Sequence, residues 1–144
     1  MPVHKTEYRV PFGDTDALGI VYYANYLRYF EVSRNEYFRD RVRAPLEMVR
    51  DDAFLIVIEA HVQYHSPARF DDKLIIDAWI PRERITPATF HFDYVITLED
   101  TRRKIVSGHT AHAMTTREGK LKRMARDFRA IIDKVALDRP PLAE

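Results

Sequence analysis

The feature that most restricts the fold of this chain is a change in the spacing of its apolar residues. From about residue 21 to residue 41 they recur every three or four positions, which is the period of an amphipathic helix. The stripe consists of Tyr23, Tyr26, Leu27, Phe30, Tyr37 and Phe38. Tyr22 and Tyr29 lie off the stripe, so we expect the helix to be covered on more than one side. Pro45 is expected to end it or to start a short second turn.

Outside this segment, apolar and polar residues alternate, as they do in half-buried β-strands. Strands are predicted at about residues 5–12, 54–64, 74–80, 90–98 and 104–116, with a short closing helix at about 127–135. In the second strand, one face is expected to carry Phe54, Ile56, Ile58, Ala60, Val62 and Tyr64. Consecutive strands with short connections favour antiparallel pairing. The chain is therefore predicted to be one α+β domain, residues 1–144, with a five-stranded antiparallel sheet and one long helix.

The composition limits the kinds of site that the chain can carry. Its 144 residues suit one domain, and a formal net charge of +1 argues against a large nucleic-acid surface. Without cysteine there is no disulfide, thiolate zinc site or cysteine nucleophile. The pairs His61/His65 and His109/His112 lie on predicted strands, where their spacing does not form a compact chelate, so neither a metal nor another cofactor is expected. No membrane span or signal peptide is visible, which is typical of a cytoplasmic protein.

An unusual group of residues lies where the first strand gives way to the helix. Two carboxylates, Asp14 and Asp16, stand close to the expected helix start. A helix N-terminus exposes unpaired backbone N–H groups, which can hold a carbonyl oxygen as it gains negative charge. A nearby carboxylate can then attack that carbonyl or activate water. The spacing alone favours the simpler alternative, in which both aspartates cap a turn or the helix.

The segment around these aspartates resembles the signature of the 4-hydroxybenzoyl-CoA thioesterase family, which includes the Tol-Pal-associated acyl-CoA thioesterases. The resemblance lies in FGDTD at 12–16, GIVYY at 19–23 and NYLRYFE at 25–31. It resumes in YHSPA at 64–68 and FDD at 70–72. The predicted order of elements also agrees with the hotdog fold of that family, in which a curved antiparallel sheet wraps around one long helix.

The resemblance implies a hydrolase that splits an acyl-CoA thioester into a free acid and CoA. Asp16, the second acid of the motif, matches the family's catalytic carboxylate, acting either as nucleophile or as general base. The backbone N–H of Tyr23 is implied to polarise the thioester carbonyl, which leaves the Tyr23 side chain free to pack on the apolar stripe. Asp14 is then expected to be a turn or hydrogen-bonding residue.

Three residues near the motif are candidates to line the substrate pocket: Gly19, Tyr26 and Phe30. For the two aromatic residues, core packing is an equally good explanation. Glu31 could reach a substrate head group, although an ion pair with Arg34 or Arg28 at helical spacing is the favoured interpretation.

Coenzyme A carries phosphates, so cationic side chains are expected at the pocket mouth. Arg82 and Arg84 follow the strand predicted at 74–80, where related enzymes often place such contacts. The basic runs at 102–104 and 120–123 are further candidates.

Two other functions remain open: hydrolysis of an acyl group carried by an acyl carrier protein, and non-catalytic acyl binding. A hydratase is disfavoured, because no histidine follows Asp16 before His61. The resemblance also implies a homo-oligomer, in which subunits join their sheets into a dimer or pair again into a tetramer, with active sites at the subunit interface. Whether the acyl group is aromatic or aliphatic does not follow from the residues.

Overall fold

A five-stranded antiparallel sheet with one long helix packed on it forms the framework of the protein in the computed structural model, which describes residues 3–141. The helices are α1 (Asn25–Arg41), α2 (Pro45–Arg50) and α3 (Arg126–Val135). The strands are β1 (His4–Arg9), β2 (Phe54–Tyr64), β3 (Lys73–Trp79), β4 (Thr89–Leu98) and β5 (Lys104–Thr115). The predicted α+β arrangement is thus confirmed, with ends that differ by a few residues.

The strand order across the sheet is β1-β3-β4-β5-β2. Three consecutive strands, β3 to β5, form an antiparallel meander, and β1 and β2 are added at its two edges. Among the described residues, β2 pairs only with β5, so its other edge is left without a partner strand in the single chain. No helix within residues 3–141 is long and apolar enough to cross a membrane.

The long helix begins later than its apolar period predicts. Bridges join Thr15 to Val21 and Ile20 to Arg69, so the chain is still extended there, and α1 starts only at Asn25. The buried residues of α1 are Tyr26, Tyr29, Phe30, Ser33, Tyr37 and Phe38. Two residues of the predicted stripe are not among them: Leu27 is 41% exposed, and Tyr23, which precedes the helix, is 61% exposed. The placement of Tyr23 and Leu27 on the buried stripe is therefore wrong, and Tyr29 belongs to the core instead.

Gly108 on β5 lies in close contact with both α1 and β2. Phe30 stacks on Tyr94 with ring centroids 4.1 Å apart and an angle of 4° between the rings. A Cβ at Gly108 would lie 3.0 Å from the Phe30 ring and 2.2 Å from the backbone oxygen of His61. A glycine at this point in β5 allows α1 and β2 to approach the same strand together.

A β-bulge divides the outer strand β2. Val57 is opposite His112 and Glu59 is opposite Ala111, so Ile58 is an extra residue in β2. One extra residue reverses the alternation of side chains beyond it. The prediction that a single face runs from Phe54 to Tyr64 is therefore wrong. Side chains of one parity in the numbering face the helix before the bulge, and side chains of the other parity face it after the bulge.

Candidate active site

A buried carboxylate anchors the segment between β1 and α1. Asp14 is 6% exposed and accepts hydrogen bonds from Arg28 Nη2 at 2.5 Å and from Tyr29 Oη at 2.7 Å. Its backbone oxygen accepts two more, from the N–H of Tyr22 and from Nδ2 of Asn25, both at 2.9 Å. The expectation that Asp14 is a hydrogen-bonding residue is confirmed. This network fixes the connecting segment onto the first turns of the helix.

The hydrogen bonds to Asp14 also shift the pKa values of its partners Tyr29 and Arg28. The pKa of the Tyr29 hydroxyl is raised well above its ordinary value, first by burial and then by its hydrogen bond to Asp14. The phenol therefore stays protonated and remains a donor at neutral pH. The pKa of Arg28 is also raised, chiefly by the hydrogen bond to Asp14, so this cation keeps its charge.

Asp16 lies at the tip of a tight turn and is only partly buried. Its Oδ1 accepts the N–H of Leu18 at 2.8 Å, and its carbonyl accepts the N–H of Gly19 at 2.9 Å. Gly19 has a φ of +78°, a conformation that costs glycine little and other residues more. No residue of the described chain, 3–141, donates a hydrogen bond to the second carboxylate oxygen of Asp16. The turn thus orients the carboxylate through one oxygen and leaves the other available.

The chain reaches the helix start beside this turn. No described residue accepts a hydrogen bond from the backbone N–H of Tyr23, whose carbonyl accepts one from Tyr64 Oη at 3.0 Å. The Tyr23 ring packs against Tyr22 at 4.6 Å. The pKa of the Tyr22 hydroxyl is raised, first by its hydrogen bond with Tyr23 and in smaller part by the charge of Asp16. The charge of Asp16 thus acts on the segment that leads into α1, where the backbone N–H of Tyr23 has no acceptor among the described residues.

The two aromatic candidates for the pocket lie in the core of the protomer. Tyr26 is 3% exposed and makes edge-on contacts with Tyr29 and Tyr64 at 5.6 and 5.8 Å. Phe30 is fully buried between α1 and the sheet. Of the two, Tyr26 is nearer to the helix start.

Glu31 lines a cavity of about 200 Å³ between α1, α2 and the first half of β2. Arg34 and His112 share this cavity, and Leu55 and Val57 of β2 also line it. No ion pair links Glu31 to Arg34 or Arg28 within the described chain, so the favoured interpretation of Glu31 is wrong. The reason is that Arg28 binds Asp14, while Arg34 points towards Tyr94 Oη at 3.4 Å.

A polar chain that the sequence did not reveal lies under this cavity. Tyr94 Oη and Thr110 Oγ1 are 2.7 Å apart, and Thr110 Oγ1 is 2.7 Å from Nε2 of His112. Burial lowers the pKa of His112 to about 3, with a further contribution from Arg34. His112 is therefore a neutral hydrogen-bonding residue at pH 7. The sequence pattern placed His112 on a strand, but it did not identify these partners.

The two arginine candidates after β3 have different surroundings. The guanidinium of Arg82 donates to Oδ1 of Asp138 and to the backbone oxygens of Asp133 and Ala136, at 2.5 to 2.9 Å. It thereby joins the end of β3 to the end of α3. Arg84 is exposed and donates no hydrogen bond to another described residue. It lies close enough to Glu59 and His91 to influence their pKa values.

The histidines show no metal-binding arrangement in the part of the chain that the structure describes. No group of three or more histidine, aspartate or glutamate side chains within residues 3–141 could hold a metal ion. His109 faces away from α1 and His112 faces towards it, as their strand parities predict.

Known proteins resemble this chain in sequence and in fold. A family model described as the Thioesterase-like superfamily matches residues 10–133. A protein of Aquifex aeolicus named as a putative esterase is 33% identical over 114 residues, which are 78% of this chain and 84% of that protein. The acyl-CoA thioester hydrolase YbgC of Escherichia coli is 35% identical over 82 residues, 57% of this chain and 61% of that protein.

Solved structures agree with these matches. A hypothetical protein from Aquifex aeolicus superposes with a TM-score of 0.81 at 28% identity, covering 89% of this chain and 98% of that one. The 1,4-dihydroxy-2-naphthoyl-CoA thioesterase from Synechocystis gives a TM-score of 0.83 at 20% identity, with coverage of 96% and 100%, and shows that the fold is shared. The hotdog fold expected from the sequence is confirmed. The chain belongs to the Thioesterase-like superfamily, and it is a thioester hydrolase.

Proposed function

We propose that the protein hydrolyses acyl-CoA thioesters, with Asp16 as the catalytic carboxylate and the Tyr23 backbone N–H as the donor to the thioester carbonyl. The observation that carries this proposal is the turn at Asp16, which holds one carboxylate oxygen and leaves the other without a donor, in a segment where the Tyr23 N–H also has no acceptor among the described residues. The acyl-CoA substrate is supported by the similarity to YbgC, which is named as an acyl-CoA thioester hydrolase.

Two routes are consistent with this arrangement. In the first, the free oxygen of Asp16 attacks the thioester carbon, the CoA thiolate leaves and takes up a proton, and water then cleaves the resulting anhydride. In the second, Asp16 takes a proton from water, whose oxygen attacks the same carbon; the C–S bond then breaks, and the CoA thiolate leaves and takes up a proton. In both routes the carbonyl oxygen becomes negative, and a backbone N–H at the positive end of a helix stabilises it.

The site is proposed to be completed by a second copy of the chain that pairs through β2. The free edge of this strand carries exposed apolar residues, with Ile56, Val57 and Ile58 at 43%, 48% and 54%. An unpaired strand edge is a template for another strand. Antiparallel pairing of β2 with its own copy sets the Tyr64 end of one strand against the Phe54 end of the other.

Such pairing brings the Asp16 turn of one protomer to the cavity of its partner. Tyr64 binds the carbonyl of Tyr23, so the helix start lies at the Tyr64 end of β2. The cavity next to Leu55, Val57 and Glu31 lies at the other end. In a dimer, the catalytic carboxylate of one subunit and the acyl cavity of the other would therefore face each other. Tyr26 and Gly19 would form the near wall, with Phe30 supporting it from behind.

The CoA phosphates are proposed to bind to exposed cations rather than to arginines already held by the protein. Arg84 suits this role, because it has no hydrogen bond to another described residue. Arg82 could contribute only by giving up its contacts with the end of α3.

The proposal is tested with Asp16→Asn. The amide oxygen can still accept the Leu18 N–H, so the turn should survive, while neither attack on the carbonyl nor proton abstraction remains possible. We expect kcat for acyl-CoA hydrolysis to fall at least about 100-fold. The measurement is release of free CoA across a panel of aromatic and aliphatic acyl-CoA substrates. A variant that keeps the wild-type rate would show that Asp16 is not the catalytic group.

Asp100→Asn is the matched control. Asp100 is also an exposed turn residue, and its Oδ1 accepts the Thr101 N–H at 2.7 Å, but it lies in the hairpin between β4 and β5. The Asp100→Asn variant should hydrolyse acyl-CoA at the wild-type rate. A single turnover in ¹⁸O-labelled water separates the two routes, since the nucleophilic route places label in the Asp16 carboxylate.

A further inference from the structure

A buried histidine opens on the cavity between α1, α2 and β2. His112 is 3% exposed, and it shares the cavity with apolar side chains of all three elements, Phe38, Met48 and Leu55. Its Nε2 lies 2.7 Å from Thr110 Oγ1. Its Nδ1 makes no hydrogen bond with another described residue, yet it is not among the fully enclosed polar atoms that lack a partner. Since His112 lines the cavity, Nδ1 is the ring nitrogen that opens on it.

The hydrogen bonds behind His112 have one favourable direction. Arg34 Nη1 donates to Tyr94 Oη at 3.4 Å, and a guanidinium cannot accept a hydrogen bond in return. The Tyr94 hydroxyl therefore donates to Thr110 Oγ1, 2.7 Å away, which is its one acceptor among the described residues. The Thr110 hydroxyl in turn donates to Nε2 of His112. In the reverse direction, the buried hydroxyl hydrogen of Tyr94 would have no acceptor, which costs free energy.

This direction assigns the proton of the His112 ring to Nδ1. A neutral imidazole carries one N–H, and here Nε2 is the acceptor for Thr110. The ring is neutral at pH 7, because burial lowers the pKa of His112 to about 3, with a further contribution from Arg34. Burial also raises the pKa of the Tyr94 hydroxyl, which therefore keeps the proton that it donates. The cavity thus contains one buried, neutral N–H donor.

The other polar groups of the cavity do not favour an ionic ligand. Glu31 and Arg34 line it with opposite charges, three residues apart on α1. Glu31 is exposed and Arg34 is partly buried, whereas His112 is almost fully buried. An anionic acyl group would be attracted by Arg34 and repelled by Glu31. A neutral oxygen that accepts a hydrogen bond matches the buried donor without adding charge.

We propose that His112 makes this cavity select acyl groups that carry a neutral, hydrogen-bond-accepting oxygen, such as a ketone, within reach of Nδ1. This inference rests on the proposed function, in which the cavity holds the acyl group. A plain alkyl chain would displace water from the Nδ1–H group and leave this buried donor without a partner, which costs free energy. An oxygen in the acyl chain avoids that cost, so the donor discriminates between the two kinds of substrate.

Acyl-CoA substrates that differ by one oxygen test this selectivity. Hexanoyl-CoA is compared with 4-oxohexanoyl-CoA and 5-oxohexanoyl-CoA, whose ketones lie away from the thioester and change its intrinsic reactivity little. The measured quantity is the ratio of kcat/KM for each oxo substrate to kcat/KM for hexanoyl-CoA. We expect a ratio of about ten or more for at least one oxo substrate. Because both rates come from one preparation, the ratio does not depend on the fraction of enzyme that is folded.

Three variants separate the N–H donor from the shape of the ring. His112→Phe keeps a ring and removes the donor, so the ratio should fall to about two or less. His112→Asn places an amide N–H close to the position of Nδ1 and should keep a ratio of about five or more. His109→Phe makes the same replacement on β5, on the face directed away from α1, and should keep the wild-type ratio.

The position of the proton on His112 can be measured without hydrolysis. Two-dimensional ¹H–¹⁵N spectra of the imidazole rings distinguish an Nδ1–H ring from an Nε2–H ring, and His112→Phe identifies the signals of His112. We expect Nδ1–H in the wild type at pH 7.5. The free acids 4-oxohexanoate, 5-oxohexanoate and hexanoate are then added in turn. At least one oxo acid should move the Nδ1–H proton signal downfield, as a new hydrogen bond does, and hexanoate should not.

The outcomes distinguish this inference from the proposed function. Equal kcat/KM for hexanoyl-CoA and both oxo substrates would overturn the inference, even if hydrolysis depended fully on Asp16. A wild-type ratio in His112→Phe, or a proton on Nε2, would overturn it as well. If no acyl-CoA were hydrolysed, the proposed function would fail. In that case a downfield shift of Nδ1–H with an oxo acid alone would support selection by the cavity, and no shift would overturn it.

Discussion

Asp14 and Asp16 differ sharply in the hydrogen bonds that their carboxylates accept, although a single residue separates them. Asp14 is buried and has charged and phenolic donors on both oxygens. Asp16 has one backbone donor and is partly open to solvent. A carboxylate whose two oxygens both accept hydrogen bonds suits a structural role, whereas one with a free oxygen suits chemistry. The contrast predicts that replacing Asp14 lowers the stability of the fold, whereas replacing Asp16 lowers the rate of hydrolysis.

Asp14→Ala is expected to lower the free energy of unfolding by about 2–3 kcal/mol, because it leaves the buried hydroxyl of Tyr29 without an acceptor. Urea denaturation at pH 7.5 measures this. Asp16→Asn, which keeps the turn, should change the free energy of unfolding by less than about 0.5 kcal/mol. Comparable losses of stability in the two variants would contradict the division of roles.

At the scale of single elements, the close contact of α1, β2 and β5 depends on Gly108. Gly108→Ala would place a methyl group 2.2 Å from the backbone oxygen of His61, so β2 or β5 must shift. We expect a loss of about 2–3 kcal/mol in the free energy of unfolding, as for an overpacked core. Thermal and urea denaturation give the value.

Gly13→Ala is the control for this change. A Cβ at Gly13 meets no heavy atom within 4 Å, so the stability should remain within about 0.5 kcal/mol of the wild type. Since the loss of glycine flexibility in the unfolded chain is stabilising, an equal loss of stability in both variants would show that the contact at β5 is not its cause.

The elements themselves could be predicted from the spacing of apolar residues, but their ends and faces could not. Periodicity located the five strands and the long helix because burial of one face is a local property of the sequence. The start of α1 is set instead by bridges from Thr15 to Val21 and from Ile20 to Arg69. The bulge at Ile58 is likewise set by the pairing of β2 with β5. Such long-range pairings leave no local pattern.

In the candidate site, too, some features followed from the local sequence and others depend on contacts between distant residues. Asp16 was selected by resemblance, because spacing alone favoured a cap. The partners of Asp14 are up to 15 residues away, and Tyr64 lies 41 residues from Tyr23, so only the fold brings them together. An ion pair of Glu31 at helical spacing was a reasonable local prediction, and it failed because Arg28 has a buried acceptor in Asp14.

At the scale of the whole molecule, the exposed edge of β2 is expected to determine whether the protein dimerises and hydrolyses acyl-CoA. Ile58→Lys adds a charge to the apolar edge, where Ile58 is 54% exposed, and should prevent strand pairing. We expect a monomer in sedimentation velocity, with acyl-CoA hydrolysis reduced at least about tenfold. The expected loss follows from the proposed two-subunit site, since Asp16 itself is unchanged.

Leu121→Lys provides the comparison. Leu121 is 62% exposed, but it lies in the segment between β5 and α3, away from the β2 edge. This variant should remain dimeric and fully active. Full activity of an Ile58→Lys monomer would show that a single protomer contains the complete site.

The strand order described above also has a consequence for how the chain folds. The meander of β3, β4 and β5 needs only short hairpin closures, whereas β1 and β2 must find partners tens of residues away. Local closures are fast and long ones are slow. We expect the meander to form first and the two edges to join later. The strand proposed to recognise a second subunit would then be among the last to gain its final form, so that assembly and the completion of folding coincide.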